Sequence, residues 1–405
     1  MSRVVTGGQV PFWVPCVLLL AAAAPVGAQA HQHDVPGLRI GAQALMLLTH
    51  ATPALAGNDF TEGYITQPML LGHASWSGLG ARLTVNLEGW TLDRGELNAG
   101  NAGEGYVDRR HPHTFLHEAM VTAGAERAVW AASIAAGRGF VPYGTDDPMA
   151  RLLAKYPANH HLAQILERWV VMAALRRGPV IVEAGLFNGD EPTAPQSLGR
   201  LSRLGDSWSA RVTLLPLENI ELQASHAQVE SPEHAPGGGL DHRKWSASAR
   251  ATTERGYALI EWARTYEYSN GRRAFAFGSA LGEASVELRA LTVAARYERT
   301  TRPEEERLSD AFRSARPHAD ENIIGVTRWR IASLHVARAF DFGELHVAPF
   351  AEVSRLSVEE ITGSIFDPVE HYGSDRQWSL SVGFRIGAGA RHARMGRYGV
   401  AVPGN

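Results

Sequence analysis

Strict alternation of apolar and polar side chains marks the stretch Trp245-Ser246-Ala247-Ser248-Ala249-Arg250-Ala251-Thr252. Successive side chains of a β-strand point to opposite faces, so this pattern gives a strand with one apolar and one polar face. The same period of two recurs in residues 83–88, 208–214, 220–225 and 378–386. The pattern therefore predicts a chain built mainly of two-faced strands.

About 16 such strands fit the chain, within a range of about 14–18 because neighbouring strands are easily merged or split. We place them near residues 38–50, 65–76, 79–90, 114–124, 127–138, 167–177, 179–187, 207–216, 218–229, 243–254, 256–267, 272–282, 284–297, 323–338, 344–354 and 376–387. Short turns are predicted at Ser77-Gly78, Gly124-Ala125, Gly178, Leu217, Arg255, Gly282 and Asp341-Phe342-Gly343. Long links are predicted at 51–64, 91–113, 139–166, 188–206, 230–242, 298–322 and 355–375, and the link at Tyr268–Gly271 is intermediate.

Short turns at one end and long loops at the other are typical of outer-membrane β-barrels. We therefore predict an all-β fold, a transmembrane antiparallel β-barrel over residues 38–388, with a long inserted loop that carries a short helix. The aromatic residues agree, because a tryptophan opens several strands directly after a long link, as in an interfacial girdle. These residues are Trp169, Trp208, Trp245 and Trp378, for which ordinary core packing is the alternative.

Composition excludes several classes of protein. The chain has 405 residues with 39 Lys+Arg, 42 Asp+Glu and a net charge of −3, which argues against a nucleic-acid partner. An apolar content of 45% argues against a disordered chain, and a single Cys excludes a disulfide framework or a thiolate zinc cluster. The 17 His are left without an explanation at this level.

The first thirty residues have the order of an export signal. Arg3 is followed by an apolar run from Val14 to Ala24, and Ala28-Gln29-Ala30 has the small-x-small pattern of a cleavage site. An anchoring helix is the alternative, but the run is shorter than the roughly 20 residues needed to span a bilayer. We therefore predict a signal peptide at 1–30, a periplasmic tail at 31–37 and a C-terminal tail at 389–405.

A barrel of this size leaves an aqueous lumen lined by every second residue of each strand. Both signs of charge occur among the side chains that we expect to line it, so no strong preference for anions or cations is predicted. They are Glu88, Arg211, Glu221, Arg250, Glu287, Arg289, Glu352 and Arg385. For any single one of them, simple solvation of the lumen is the alternative to a role in transport.

Histidines are clustered, and imidazole together with carboxylate is suited to Cu²⁺ or Zn²⁺. Cleavage after Ala30 would leave an N-terminal His31-Gln32-His33, which could bind Cu²⁺ or Ni²⁺ in a square plane; a mobile polar tail is the alternative. A second group comprises His111, His113 and His117. These three have the same parity, so on extended chain they could line one face of a strand, where hydration is the alternative reading.

The third group lies in the link 139–166. Asp146 or Asp147 as N-cap, followed by Pro148, predicts a short helix, and His160 and His161 follow near the end of the link. A loop of this length is more often functional than idle, so we expect these residues to meet the second group near the barrel mouth. Surface polarity is the alternative for each pair.

Four short stretches resemble bacterial outer-membrane, porin-like β-barrel proteins that are often associated with copper or heavy-metal resistance. They are the R-x-H-P-H run within Asp108–His113, Asn159-His160-His161, Gly185–Pro192 and Arg394–Gly399. The chain departs from that pattern at Thr114, where the family has an acidic residue, and at Leu162–Ile165. The resemblance implies an outer-membrane location beside lipopolysaccharide, and a metal-resistance context.

Three functions remain open at this stage. The first is a porin-like channel for small solutes with a His/Asp site that binds metal ions. The second is an outer-membrane metal-binding protein without a channel, and the third is a lipid hydrolase. No G-x-S-x-G, Walker or H-E-x-x-H motif is present, so we expect no enzyme. A homo-oligomer is compatible with each of them.

Overall fold

A computed structural model describes residues 37–55, 57–92, 95–97, 109–110, 112–158, 160–234, 237–305, 323–361, 367–390 and 394–402. The predicted signal peptide, most of the tail at 31–37, and His31, His33 and His111 lie outside this described part. Within it, no helix has the length and apolar character needed to cross a bilayer.

Sixteen long antiparallel strands form one closed sheet, in which the short strand Phe340–Phe342 also pairs with the fifteenth of them. Residues Glu96–Leu97 and Arg109–Arg110 form a separate two-stranded sheet. The sixteen long strands are β1 Gly37–Leu55, β2 Asn58–Trp76, β3 Leu79–Asn86, β4 Leu116–Arg127, β5 Trp130–Gly139, β6 Arg168–Arg177, β7 Val180–Phe187, β8 Ser207–Leu217, β9 Ile220–Val229, β10 Asp241–Thr253, β11 Gly256–Ser269, β12 Arg272–Leu288, β13 Leu291–Glu305, β14 Ile323–Arg338, β15 Leu345–Glu360 and β16 Arg376–Gly389. Each strand pairs with its neighbour in sequence, and β1 closes the barrel by pairing with β16 from Gly41↔Gly389 to Thr52↔Trp378. The predicted β-barrel is thus confirmed.

The sequence pattern misplaced several links: Leu217 still belongs to β8, and most of the predicted long link 51–64 belongs to β1 and β2. Two turns were misplaced by four residues or more. Gly124 and Gly282 lie inside β4 and β12, and the chain reverses instead at Ala128-Val129 and at Arg289-Ala290. Ala128 and Arg289 both have a positive φ, so the turns use residues without the glycine that sequence reasoning looks for. As a result β12 continues six residues past Gly282, to Leu288.

Helices are few and short among the described residues: α1 Glu88–Thr91, α2 His160–Ala163 and α3 Pro368–Tyr372. The predicted strand 79–90 ends earlier, at Asn86, because α1 follows from Glu88 with Leu87 as its N-cap. The helix predicted after Pro148 is only a single 3₁₀ turn, Pro148–Ala150. Asp147 caps it by accepting a hydrogen bond from Met149 N at 2.7 Å, but Arg151 is already extended.

The outward face of the barrel is apolar. Side chains such as Ile134, Val182, Leu380 and Phe384 keep 45–64% of their surface exposed along the strands. Trp208, Trp245 and Trp378 are likewise exposed, near the long-loop ends of their strands. An apolar outer band with aromatic residues at its edge is the surface that a bilayer requires, which places this fold in the bacterial outer membrane.

The inward face is polar and is covered by two further segments. The lumen loop, residues 140–166, follows β5, and the C-terminal tail, residues 394–402, follows β16. Nearly all described residues of the lumen loop are buried, and so are most of the tail. Both segments lie inside the barrel, so they determine what space remains in the lumen.

Candidate functional site

The lumen loop crosses the barrel from β5 to the opposite wall. There a carboxylate on β15, Glu352, accepts hydrogen bonds from the loop amides Ala154 N at 2.6 Å and Lys155 N at 3.1 Å. On β13, Glu298 accepts from Ala158 N at 2.7 Å. Buried carboxylates need such donors, because water no longer solvates them. The wall therefore holds the loop through its backbone rather than through apolar contact alone.

Arginines attach the same loop through its carbonyl groups. Arg296 on β13 donates to Lys155 O at 2.9 Å, and Arg385 on β16 donates to Arg151 O and Leu152 O at 3.2 Å each. The Lys155 side chain extends to β2, where its Nζ atom donates to Tyr64. The same atom lies 3.2 Å from Oε1 of Glu96. The loop is thus held at several points around the barrel.

The C-terminal tail enters the lumen from the short-turn end, where β16 ends. Arg394 makes paired hydrogen bonds with Asp146 of the lumen loop, at 2.7 and 2.8 Å, and with Glu221 of β9, at 2.6 and 3.1 Å. Burial alone would raise the pKa of Asp146, but Arg394 and Arg250 outweigh it and hold that pKa well below its usual range. One arginine therefore links tail, loop and wall.

Arg397 and Tyr398 continue this attachment. Arg397 donates to Glu221 at 2.6 Å and to Thr213 at 3.1 Å, and Tyr398 OH accepts from Phe140 N at 3.0 Å. Burial lowers the pKa of Arg397 to about 10, with Arg211 adding to the effect. The tail also packs Met395, Tyr398 and Ala401 into buried apolar clusters, so its position depends on charge pairing and on apolar contact together.

Arg211 connects all three parts of the site. Its guanidinium pairs with Glu183 on β7 through two hydrogen bonds of 2.6 Å, in the fork geometry that suits a carboxylate. The same group donates to Gly144 O in the lumen loop at 3.2 Å and to Gly396 O in the tail at 3.1 Å. Loss of Arg211 would therefore loosen both segments at once.

A row of rings occupies the wall beside the loop. The centroids of His113 and His117 are 5.0 Å apart, and Tyr156 lies 5.7 Å from His113 and 5.4 Å from His160. His161 stacks near His160, at 4.0 Å. The second and third histidine groups thus meet through Tyr156, and His113 lies just before β4 begins.

Each of the two wall histidines forms a hydrogen bond with a carboxylate through its Nδ1 atom. His113 Nδ1 is 2.9 Å from Glu88 Oε2, and His117 Nδ1 is 2.8 Å from Glu167 Oε1. Burial alone would raise the pKa of Glu167, but the hydrogen bond and charge of His117 lower it to about 2. A β-bulge between Thr84 and Val85 lets the consecutive residues His117 and Glu118 both be buried.

Metal binding has limited geometric support. His117 Nε2 and Asp147 Oδ2 are 3.8 Å apart, both fully buried and both without a hydrogen-bond partner. In the part of the chain that the structure describes, however, no group of three or more His, Cys, Asp or Glu converges on one point. Asp146 is engaged with arginines, and the His161 carbonyl accepts from Lys244 Nζ at 2.7 Å.

The side chains that we expected to line the lumen divide into two sets. Arg211, Glu221, Arg250, Glu352 and Arg385 lie on inward positions of their strands, and Glu88 is buried in α1. Glu287 is exposed close to the short-turn end of β12. Arg289 lies in the β12–β13 turn with an exposed side chain, so its assignment to the lumen wall is wrong, because the strand ends before it.

Sequence reasoning gave no role to four further inward carboxylates or to the arginines of the tail. Glu183, Glu261, Glu283 and Glu298 occupy inward positions that the period of two would have identified. Arg394 and Arg397 follow the last strand, where alternation ends. Their pairing with Asp146 and Glu221 has no signal in the order of residues.

Comparison with known proteins identifies the fold. The chain matches no protein-family model and no curated protein. Among solved structures it is similar to an anion-selective porin from Comamonas acidovorans, with 11% identity, a TM-score of 0.51, and coverage of 87% of this chain and 99% of that one. It is also similar to the outer membrane channel DcaP of Acinetobacter baumannii, with 8% identity, a TM-score of 0.50, and coverage of 87% and 98%. Identities this low show a shared fold only.

Proposed function

We propose that this protein is an outer-membrane, porin-like channel for small solutes, in which the lumen loop sets a constriction and the C-terminal tail closes the remaining path. The observation that carries the proposal is that a sixteen-strand barrel, wide enough for an aqueous lumen, holds both segments inside it by charged contacts. Both segments also bury apolar side chains against the wall, among them Phe140, Met149 and Met395, but the charged contacts are the ones that water can replace.

The two segments differ in how firmly they are held. The lumen loop is joined to the barrel at both ends, and its backbone is bonded to Glu352 and Glu298. The tail follows the last strand and is held by Arg394 and Arg397 together with the buried side chains of Met395, Tyr398 and Ala401. Segments with few backbone hydrogen bonds to the rest of a protein open at the lowest free-energy cost. The tail is therefore the movable part.

Charge pairing sets the selectivity of each state. With the tail in place, Asp146 and Glu221 are neutralised by Arg394 and Arg397. Without it, Asp146 keeps only Arg250 as a direct partner and Glu221 loses both arginines. The open lumen thus gains unpaired negative charge on the β9 side, which favours cations.

Single-channel recording in planar bilayers tests the proposal. The full chain should conduct weakly, and a variant that ends at Ala390 should conduct more and become cation-selective, as its reversal potential in a salt gradient would show. A variant that ends at Val402 is the matched control, because it keeps the whole described tail. If neither the full chain nor the variant that ends at Ala390 conducts, under conditions in which a known porin does, the channel is ruled out.

Metal binding is the second candidate, linked to copper or heavy-metal handling. It is favoured by the partnerless pair His117 Nε2 and Asp147 Oδ2 and by the neighbouring His113. Calorimetric titration with Cu²⁺ or Zn²⁺ tests metal binding by comparing His117→Ala with His346→Ala. The second variant is the control, because His346 lies outside the cluster and pairs with Asp341. Equal affinities in the two variants would remove this cluster from consideration.

A further inference from the structure

Three arginines lie on the membrane side of the barrel, at the long-loop ends of β10, β11 and β12. Arg243 is on an outward position of β10, Arg264 is on β11, and Arg273 is on β12. An arginine facing the hydrocarbon core is costly, and the cost falls only close to the headgroups. Three in one place, close to the ends of their strands, therefore lie at the level of the lipid headgroups.

Aromatic rings hold these guanidinium groups against the outer wall. The Arg243 Cζ atom lies 4.4 Å from the centroid of the Tyr268 ring. Tyr266 receives two arginines, with Arg264 Cζ at 5.2 Å and Arg273 Cζ at 5.8 Å from its centroid. Such contacts orient a guanidinium without neutralising it. We call Arg243, Trp245, Arg264, Tyr266, Tyr268 and Arg273 the arginine–aromatic patch.

The pairing of the strands makes the patch compact. Arg243 lies opposite Tyr266, Trp245 opposite Arg264, and Tyr268 opposite Arg273. Gly278 lies opposite Arg264, and a Cβ atom there would come within 2.9 Å of Arg264 Nη1. The missing side chain of Gly278 thus leaves the space in which the Arg264 guanidinium lies against the wall.

The charges of the patch are unbalanced. In the part of the chain that the structure describes, Arg243, Arg264 and Arg273 form no ion pair with a carboxylate. Asp241, opposite Tyr268, accepts a hydrogen bond from Ser231 N at 3.1 Å. By contrast, the outward Arg328 and Arg330 on β14 share Glu359. The patch therefore presents net positive charge.

Amphipathic surface adjoins the patch on the side of the membrane. Trp262 and Ile260 on β11 are 47% and 43% exposed, directly below Arg264 on the same face. His226 stacks between Trp208 and Trp245, with centroid distances of 5.2 and 4.0 Å. A ligand that fits both regions needs an anionic head and an apolar body.

We propose that the arginine–aromatic patch binds a phosphate-bearing lipid of the outer leaflet, a phosphorylated glycolipid, whose phosphate groups pair with Arg243, Arg264 and Arg273. Guanidinium groups suit phosphate because they present parallel N–H donors. The tryptophan and tyrosine rings contact the sugars and the first part of the acyl chains. This inference rests on the outward surface of the barrel and is independent of channel activity.

Native mass spectrometry of the intact chain in a neutral detergent tests the proposal, with diphosphoryl lipid A as the probe and enzymatically dephosphorylated lipid A beside it. The variant is Arg243→Gln/Arg264→Gln/Arg273→Gln. The matched control is Arg177→Gln/Arg338→Gln, which removes two arginines that also lie over rings, 4.7 Å from Trp130 and 5.0 Å from Phe340, but at the short-turn rim. Circular dichroism confirms that each variant keeps its strands.

We expect the triple variant to bind diphosphoryl lipid A about 100-fold more weakly. Each basic residue at a charged membrane surface contributes roughly fivefold to affinity, and the three contributions multiply. The control variant should bind as the native chain does. Equal binding by the triple variant, or equal binding of the dephosphorylated lipid, would overturn the proposal. Competition by inorganic phosphate alone would overturn the lipid assignment. If the triple variant does not fold, Arg273→Gln alone should weaken binding about fivefold.

Discussion

Replacement of Arg394 by glutamine is the sharpest test of how the tail is held. The substitution removes the four hydrogen bonds that join Arg394 to Asp146 and Glu221, at 2.6–3.1 Å. Breaking a buried ion pair costs about 3–5 kcal/mol. Here the Arg394 side chain keeps 17% exposure, Asp146 retains Arg250, and Glu221 retains Arg397. We therefore expect the substitution to lower the free energy that holds the tail in place by about 2 kcal/mol.

A difference of about 2 kcal/mol multiplies the undocked population of the tail about 30-fold. Ala401 is fully buried against Ala174 and Ile181, so a cysteine placed there reports undocking by its reaction with a soluble thiol reagent. The only cysteine of the chain, Cys16, is first replaced by serine. We expect Arg394→Gln to raise the labelling rate of Ala401→Cys about 30-fold in detergent.

Two further variants control this experiment. Arg203→Gln removes an arginine 2.6 Å from Asp206, on the link between β7 and β8, and should leave the rate unchanged. Arg394→Lys keeps the charge but loses the fork geometry, so an intermediate rate is expected. A labelling rate that Arg394→Gln changes by less than about threefold would refute the view that this ion pair holds the tail.

Three other predictions concern the lumen loop and its surroundings. Glu352→Gln weakens two contacts with loop amides and should lower the free energy of unfolding by about 1–3 kcal/mol in thermal denaturation, whereas exposed Glu126→Gln should have no effect. Gly144→Ala should destabilise the protein by well over the roughly 1–2 kcal/mol expected for its φ of +65° alone, because the new Cβ would meet Ala163 O at 1.6 Å. Gly178→Ala, with φ +53° and no atom within 4 Å, isolates the backbone cost, and equal losses in the two variants would contradict the packing of the loop. The pKa of Glu167 is lowered to about 2, so its charged form stabilises the fold fully above a pH of about 4.5 and progressively less as the pH falls to about 2. Glu167→Gln should therefore lower the free energy of unfolding by about 3 kcal/mol at pH 7, and this loss should shrink over that pH interval. A loss that is constant with pH would be evidence against the His117 pair.

Alternation along the chain was sufficient to predict all the strands of the barrel, because a wall between lipid and water dictates the character of every second residue. It also gave the inward orientation of residues such as Arg211 and Glu352. The errors came at Gly124 and Gly282, where glycine suggested a turn but the strand continued. Glycine inside a strand and glycine in a turn look alike when only local sequence is considered.

The histidine groups show the limit of local reasoning more clearly. Their clustering predicted correctly that His113, His117 and His160 lie near one another, through Tyr156. It also predicted converging metal ligands, whereas His113 and His117 each face a carboxylate from another part of the chain, Glu88 and Glu167. Which partner a buried imidazole takes depends on contacts that the spacing of residues does not encode.

By itself, the sequence determined that the chain forms a barrel of about 16 strands with one apolar and one polar face, since these follow from a period of two along the strands. Only the tertiary structure decided that the lumen is occupied. Asp146 pairs with Arg394 across 248 positions of the chain, and Glu352 holds Ala154 across 198. Such pairs form because a closed sheet brings its inward charges together, and so residues distant in sequence hold the loop and the tail inside the lumen.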